Sequence, residues 1–144
     1  IVQYYHEWLG QDGFPLWSFW ENIQTWWDIR DLPNVNLIHF GALKDDMPGE
    51  IRKIAAYLEI DIDESKWDAI LHHCSFDYMK ANATASVPLG GAFWDGGAEQ
   101  FIHKGVNGRW RDTLSDIEIN KYDNLADAEL GAECANWLAT GKLP

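Results

Sequence analysis

Positive charge is scarce in this sequence, which has 11 Lys and Arg residues against 23 Asp and Glu and a formal net charge of −12. A nucleic-acid backbone needs a basic face, so this balance argues against such a partner. A small anion held by a local basic pocket is not excluded. We also expect no signal peptide and no membrane span, because no apolar run in the sequence is long enough to cross a membrane. We therefore expect a cytoplasmic protein without a membrane partner.

Cysteine is equally sparse. Cys74 and Cys134 are isolated and have no metal-ligand spacing, which predicts free, buried thiols in a reducing compartment. The patterns Gly-x-Ser-x-Gly, His-Glu-x-x-His, Cys-x-x-Cys and Gly-x-x-x-x-Gly-Lys-Ser/Thr are absent. We therefore predict no metal site and assign no catalytic residue within the chain.

Tryptophan is abundant, with nine residues in 144, and favours a core of large aromatic side chains. Apolar residues at helical spacing between residues 16 and 29 predict a core-packing helix that Pro15 begins. They are Leu16, Phe19, Trp20, Ile23, Trp26 and Trp27. The alternative is that one of these tryptophans lines an acceptor pocket. A second helix is predicted after Pro48, with Ile51, Ile54, Ala55 and Leu58 facing inward.

Helix boundaries are marked by short polar signals. Asp63 and Ser75 are predicted N-caps. Ser115 and Glu118 form the Ser-x-x-Glu pattern of a capping box, which predicts a helix, followed by a final short helix that ends at Gly141.

One segment has a strong strand pattern: residues 35–40, Val-Asn-Leu-Ile-His-Phe. The sequence thus predicts a mostly α chain with one or few β-strands. A single strand cannot form a sheet, so its partners are expected in missing sequence or in another copy. Residues 82–102 have no hydrophobic period and contain four glycines and a proline. We predict that they form a flexible lid loop.

Cationic side chains gather around two glycines in residues 101–112. His103 and Lys104 precede Gly105, two arginines follow, and no acidic residue lies between Gln100 and Arg111. Glycine lets the backbone come close to a ligand, and N–H groups surrounded by cations form an anion site. The alternative is a solvated basic loop.

Residues 101–112 resemble the Arg-Lys-Gly-x-x-Gly-Asp-Trp-Lys signature of sulfotransferases that use 3′-phosphoadenosine-5′-phosphosulfate (PAPS). The bacterial-type form, Phe-x-Lys-Gly-x-x-Gly-Arg-Trp-Arg-Asp, is closer still. Residues 74–82, Cys-Ser-Phe-Asp-Tyr-Met-Lys-Ala-Asn, resemble a second family motif, Thr-Ser-Phe-x-x-Met-Lys-x-Asn. The likeness extends from about Trp17 to Leu143.

The resemblance implies a nucleotide half-site. Phe76 would stack on adenine, with Cys74, Ser75 and Met79 beside it. The 3′-phosphate would be held by His103, Lys104 and Gly105. Cys74 stands where the family usually has Thr, and His103 stands where it usually has Arg.

The family's 5′-phosphosulfate loop and catalytic segment have no counterpart in this sequence. The resemblance thus implies that residues 1–144 are the C-terminal part of one α/β P-loop-type domain, which in complete members is a three-layer α/β/α structure. Such members transfer a sulfuryl group from PAPS to a hydroxyl or amine of a small-molecule acceptor, without a metal. We expect this chain to be inactive alone. The alternative is a non-catalytic module for nucleotide binding or oligomerisation, in which a second copy covers the strand and the exposed core face.

Overall fold

The computed structural model describes residues 1–13, 15 and 17–143. They separate into two compact units, residues 1–46 with 108–144 and residues 47–107. Whether both belong to one partial domain, as predicted, stays a prediction. Across the described residues there are nine α-helices: α1 (Val2–Gly10), α2 (Phe19–Asp28), α3 (Phe40–Asp45), α4 (Met47–Tyr57), α5 (Trp67–Cys74), α6 (Phe76–Ala81), α7 (Ala83–Ser86), α8 (Gly97–Phe101) and α9 (Asp116–Thr140).

Three short 3-10 turns supplement these helices, at Glu64–Lys66, Pro88–Gly91 and Arg109–Asp112. None of the helices in the described ranges is both long enough and apolar enough to cross a membrane.

The first unit is built around the packing of α2 against α9. Its buried residues are Leu9, Trp20, Trp27, Ala126, Leu130, Cys134 and Ala135. The predicted aromatic face of α2 is therefore confirmed at Trp20 and Trp27. Trp26 was predicted on the same face but is 53% exposed, because it lies about 120° around the helix from Trp20 and about 100° from Trp27, outside the buried stripe.

Helix α2 begins later than predicted, at Phe19 instead of near Pro15. Ser18 is the N-cap, and its hydroxyl accepts a hydrogen bond from the N–H of Glu21 at 2.9 Å. Asp12 Oδ1 accepts from the N–H groups of Phe19 and Trp20 at 3.0 and 3.1 Å. These acceptors satisfy N–H groups that have no partner within the helix, and so set its first residue. Leu16, predicted on the helix face, lies outside the described residues.

The predicted capping box before α9 is confirmed. The Ser115 hydroxyl accepts from the Glu118 N–H, and the Glu118 carboxylate accepts from the Ser115 N–H at 2.7 Å. The two helices predicted after it are separated by a kink inside α9, where Gly131 adopts φ 75° and ψ 157°, a conformation that only glycine adopts readily. Gly141 ends the element with φ 72°, as predicted.

The strand predicted at residues 35–40 is wrong for this structure. Residues 35–39 are neither helix nor strand, and Phe40 begins α3. No residue in the described ranges forms a β-strand. The apolar alternation survives, with Val35, Leu37 and His39 half-buried and the residues between them exposed. A strand needs a hydrogen-bonded neighbour, and the described part of the chain supplies none.

The second unit contains α4 to α8. The Arg52 guanidinium lies 4.0 Å from the centre of the Trp67 ring and pairs with Glu64 through two hydrogen bonds. Asp63 caps the adjoining turn as predicted, accepting from the Ser65 N–H at 3.0 Å.

Residues 82–102 are more regular than the predicted loop. They contain α7, the Pro88–Gly91 turn and α8, and they enclose a small core of Ala83, Val87 and Ala98, packed by Trp94 and Ile102. Helices of four and five residues are too short to leave a hydrophobic period in the sequence. The mobility and lid role of this segment stay predictions.

Candidate functional site

The junction between α5 and α6 places the first site residues. Ser75 follows Cys74, the last residue of α5, and is the N-cap of α6, as predicted. Its hydroxyl accepts from the N–H of Tyr78 at 3.1 Å and donates to the carbonyl of His72 at 2.7 Å. The Ser75 side chain thus satisfies an orphan N–H of α6, and it adds a second donor to a carbonyl of α5 that already accepts from the Ser75 N–H.

Phe76 and Gly105 bring the two sequence motifs together. The half-buried Phe76 is the first residue of α6. A Cβ atom added to Gly105, which has φ +59°, would lie 2.5 Å from Cε2 of the Phe76 ring. Only a residue without a side chain allows the backbone to approach this closely. The aromatic residue and the glycine loop, 29 positions apart in sequence, therefore form one site.

Lys80 also joins the two motifs, and it was not among the predicted site residues. Its Nζ donates to the backbone carbonyl of His103 at 2.8 Å and lies 5.9 Å from the centre of the Phe76 ring. The signal that could have indicated Lys80 is its position four residues after Phe76, which puts both on one side of α6.

The remaining predicted residues surround this contact. Met79 follows Phe76 by three residues, so it shares that side of α6, and it is 38% exposed. His103 and Lys104 are exposed. Cys74 is a free, exposed thiol, which corrects the prediction that both cysteines are buried; Cys134 is buried as expected.

Lys104 is the unsatisfied cation of the site. Within residues 1–13, 15 and 17–143, neither its ammonium nor its backbone N–H has a hydrogen-bond or ion-pair partner. The ammonium of Lys80, by contrast, is engaged by a carbonyl and not by a carboxylate. The site therefore keeps its positive charge uncompensated and can attract an anion.

The two arginines of residues 101–112 belong to the first unit. The Arg111 guanidinium stacks 4.2 Å from the centre of the Trp110 ring, an arrangement that stabilises both side chains. Arg109 is exposed and starts the 3-10 turn. These contacts explain how Trp110 packs and assign no ligand to either arginine.

Two histidines at the end of α5 pack on Tyr78 of α6. The ring centres of His72 and His73 lie 5.0 and 4.5 Å from that of Tyr78. No group of three or more His, Cys, Asp or Glu side chains in the described parts of the chain is arranged to hold a metal ion. The packing of the two histidines on Tyr78 therefore stabilises the junction between α5 and α6, which contains Ser75 and Phe76.

Comparison with known proteins gives consistent matches. The sulfotransferase domain family matches residues 3–133. Mouse sulfotransferase 1B1 is 30% identical over 74% of this chain and 36% of its own length. Rat sulfotransferase 1 family member D1 is 30% identical over 79% of this chain and 38% of its own length. Human sulfotransferase 1E1 is 29% identical over 83% of this chain and 41% of its own length.

A solved structure supports the fold. The crystal structure of mouse sulfotransferase SULT7A1 complexed with PAP superimposes with a TM-score of 0.68 at 23% identity, over 87% of this chain and 46% of that one. The chain thus spans less than half the length of the relatives it matches. These relatives are mammalian, so they give no support to the bacterial-type qualification of residues 101–112. Because the family match covers nearly the whole sequence, this chain belongs to the sulfotransferase domain family.

Proposed function

We propose that this chain is part of a PAPS-dependent sulfotransferase with an α/β P-loop-type domain, and that it supplies the adenine and 3′-phosphate half of the donor site. The observation that supports this role is the contact between the Phe76 ring and the Gly105 backbone. It joins an aromatic face, which suits a nucleobase, to a glycine loop with an unpaired cation, which suits a phosphate.

Phe76 stacks on the adenine ring in this proposal, with Cys74, Ser75 and Met79 at its border. Base stacking on an aromatic side chain contributes roughly 1–3 kcal/mol. The single Ser75 hydroxyl proton is already donated to His72, so towards a base Ser75 can only accept. The Cys74 thiol is a weaker hydrogen-bond partner than a hydroxyl, which leaves most of the base affinity to stacking.

The 3′-phosphate is held by the ammonium and the backbone N–H of Lys104, and Gly105 lets the backbone come close to it. A hydrogen bond to a charged group contributes about 1.5–3 kcal/mol. His103 adds charge only when its imidazole is protonated, and it lacks the planar fork with which Arg grips a phosphate.

The reaction of the complete protein would be sulfuryl transfer to a hydroxyl or amine of a small-molecule acceptor. The acceptor oxygen or nitrogen gives up its proton to a general base and bonds to the PAPS sulfur, the bond from sulfur to the phosphate oxygen breaks, and 3′,5′-adenosine bisphosphate leaves. We assign no catalytic residue to this chain and expect no turnover when it is assayed alone. A cytoplasmic location and the lack of a metal requirement stay predictions.

Calorimetric titration tests the half-site. We expect the chain to bind 3′,5′-adenosine bisphosphate more tightly than 5′-AMP, and Lys104→Ala to remove the difference. Lys121→Ala, an exposed lysine on α9, is the control and should bind as the unaltered chain does. Equal affinity for both nucleotides in the folded, unaltered chain would overturn the proposal.

A second candidate function is a non-catalytic assembly module, and residues 35–39 favour it. The backbone N–H groups from Asn36 to His39 have no hydrogen-bond partner among the described residues, and the side chains of Ile38 and Phe40 are 44% and 64% exposed. A second copy could cover this segment by pairing along it. Light scattering at increasing protein concentration would reveal such an oligomer, and a monomer at all concentrations would exclude it.

A further inference from the structure

Lys80 lies in the motif of residues 74–82 and contacts the other motif. Its Nζ is 2.8 Å from the His103 carbonyl oxygen, and it lies on the same side of α6 as Phe76. We propose that Lys80 is a positioning residue that sets the orientation of the peptide group between His103 and Lys104, and so aims the Lys104 N–H at the phosphate. This inference rests on the proposed function and assigns a role to the motif lysine, for which the resemblance gave none.

Peptide geometry carries the first step. The His103 carbonyl and the Lys104 N–H belong to one planar, trans peptide group, in which the C=O and N–H bonds point in opposite directions. When Lys80 holds the carbonyl, the N–H must face away from the Lys80 ammonium. That N–H has no acceptor within the described ranges of the chain, as expected of a donor kept for a ligand.

A second anchor lies on the other side of Lys104. Gly105, with φ +59°, packs its backbone on the Phe76 ring. Lys80 and Phe76 both belong to α6, so one helix fixes the loop immediately before and immediately after Lys104. Between two fixed points, the peptide group that contains the Lys104 N–H retains little freedom to rotate.

The Lys80 charge also acts on the peptide group between His103 and Lys104, through the hydrogen bond to the His103 carbonyl. An ammonium that donates to a carbonyl forms a charge-assisted hydrogen bond, and it polarises the peptide group so that the N–H on its far side becomes a stronger donor. Without Lys80, rotation of this peptide group would turn the His103 carbonyl oxygen toward the anion, where it repels a phosphate.

The test compares Lys80→Met, which keeps a long apolar side chain and removes the donor, with Lys80→Arg, which restores one. Lys66→Met is the matched control, because Lys66 lies in the same unit, is exposed and, among the described residues, forms an ion pair only with Asp63. We expect Lys80→Met to weaken binding of 3′,5′-adenosine bisphosphate about tenfold and that of 5′-AMP less than about twofold. We expect Lys80→Arg to recover most of the loss, and Lys66→Met to change neither affinity.

A ligand-free readout separates this inference from the proposed function. In ¹⁵N NMR spectra of the chain without nucleotide, Lys80→Met should shift or broaden the amide signals of Lys104 and Gly105, while Lys66→Met leaves them unchanged. Unchanged signals in Lys80→Met, or an equal loss of affinity for both nucleotides, would overturn the positioning role. If the unaltered chain does not discriminate between the nucleotides, the proposed function fails, and the amide signals still decide whether Lys80 orients the peptide group.

Discussion

The backbone of Gly105 lies against the ring of Phe76, so closely that a Cβ atom at position 105 would be 2.5 Å from Cε2 and 2.6 Å from Cδ2 of the ring. Two requirements therefore meet at one glycine: the positive φ of +59° and the absence of any side chain. The contact joins α6 to the loop that carries Lys104.

Gly105→Ala tests whether this contact matters beyond the backbone strain that any side chain would cause at a positive φ. The added methyl group must displace the Phe76 ring or the loop, so we expect affinity for 3′,5′-adenosine bisphosphate to fall at least tenfold in calorimetry. Gly97→Ala is the control, because Gly97 has φ +70° in the same unit with no atom within 4 Å of its added Cβ. Equal losses in the two variants would attribute the effect to strain and contradict the importance of the contact.

Phe76→Leu removes the aromatic face and keeps an apolar side chain against Gly105. Loss of base stacking, roughly 1–3 kcal/mol, corresponds to about 5- to 150-fold weaker binding of 3′,5′-adenosine bisphosphate. Phe93→Leu, at a ring that is 76% exposed in the same unit, should have no effect. A nucleotide affinity that survives Phe76→Leu would show that the base binds elsewhere.

The capping box gives the stability a predicted pH dependence. The backbone N–H of Ser115, its hydroxyl and His6 hold the pKa of the Glu118 carboxyl below its ordinary value. A lowered pKa in the folded state stabilises the fold above the unfolded value of about 4.3, and this stabilisation is lost as pH falls through the folded pKa. Glu118→Gln should lower the thermal midpoint near pH 6, with a difference that shrinks below about pH 4. A difference that stays constant with pH would show that the charge is unimportant.

His39 links α3 to the end of α9 inside the first unit. Its Nδ1 accepts from the Ala42 N–H at 3.3 Å, so its Nε2 carries the proton and donates to the Leu138 carbonyl at 3.0 Å. A Cβ atom on Gly141, which has φ +72°, would lie 2.6 Å from Nδ1.

Gly141→Ala should therefore destabilise the chain through both strain and the clash with His39. Strain at a positive φ alone costs about 1 kcal/mol, and we expect a larger loss in urea unfolding. In a His39→Ala background the ring atoms at 2.6 and 2.8 Å are absent and only the Cβ at 3.1 Å remains, so the same substitution should cost little more than the strain. Equal costs in the two backgrounds would contradict the contact.

The sequence predicted those features that depend on residues close together in the chain, such as helix caps. The caps at Ser75 and Ser115 involve atoms three residues apart, so a short pattern is enough to find them. The prediction of a strand at residues 35–40 was wrong because a strand needs hydrogen bonds to a second strand, and a local pattern does not show whether one is present. Residues 82–102 had no detectable period because their helices are about one turn long.

The site was predictable only in part. The resemblance to family motifs selected Phe76 and Gly105, and no feature of composition or spacing indicated that they touch. Lys80 was missed because its partner is the carbonyl of a residue 23 positions away, and the sequence does not show which backbone carbonyl a lysine contacts.

The backbone N–H groups of residues 36–39, which have no partner in the described part of the chain, have a consequence for its behaviour in solution. Exposed backbone donors beside the apolar side chains of Ile38 and Phe40 are a template for irregular self-association as well as for a specific partner. At neutral pH the net charge of −12 keeps copies apart by repulsion. Near the isoelectric point of about 4.6 this repulsion disappears, so mild acidity should convert a dispersed protein into an aggregating one through the exposed donors of residues 36–39.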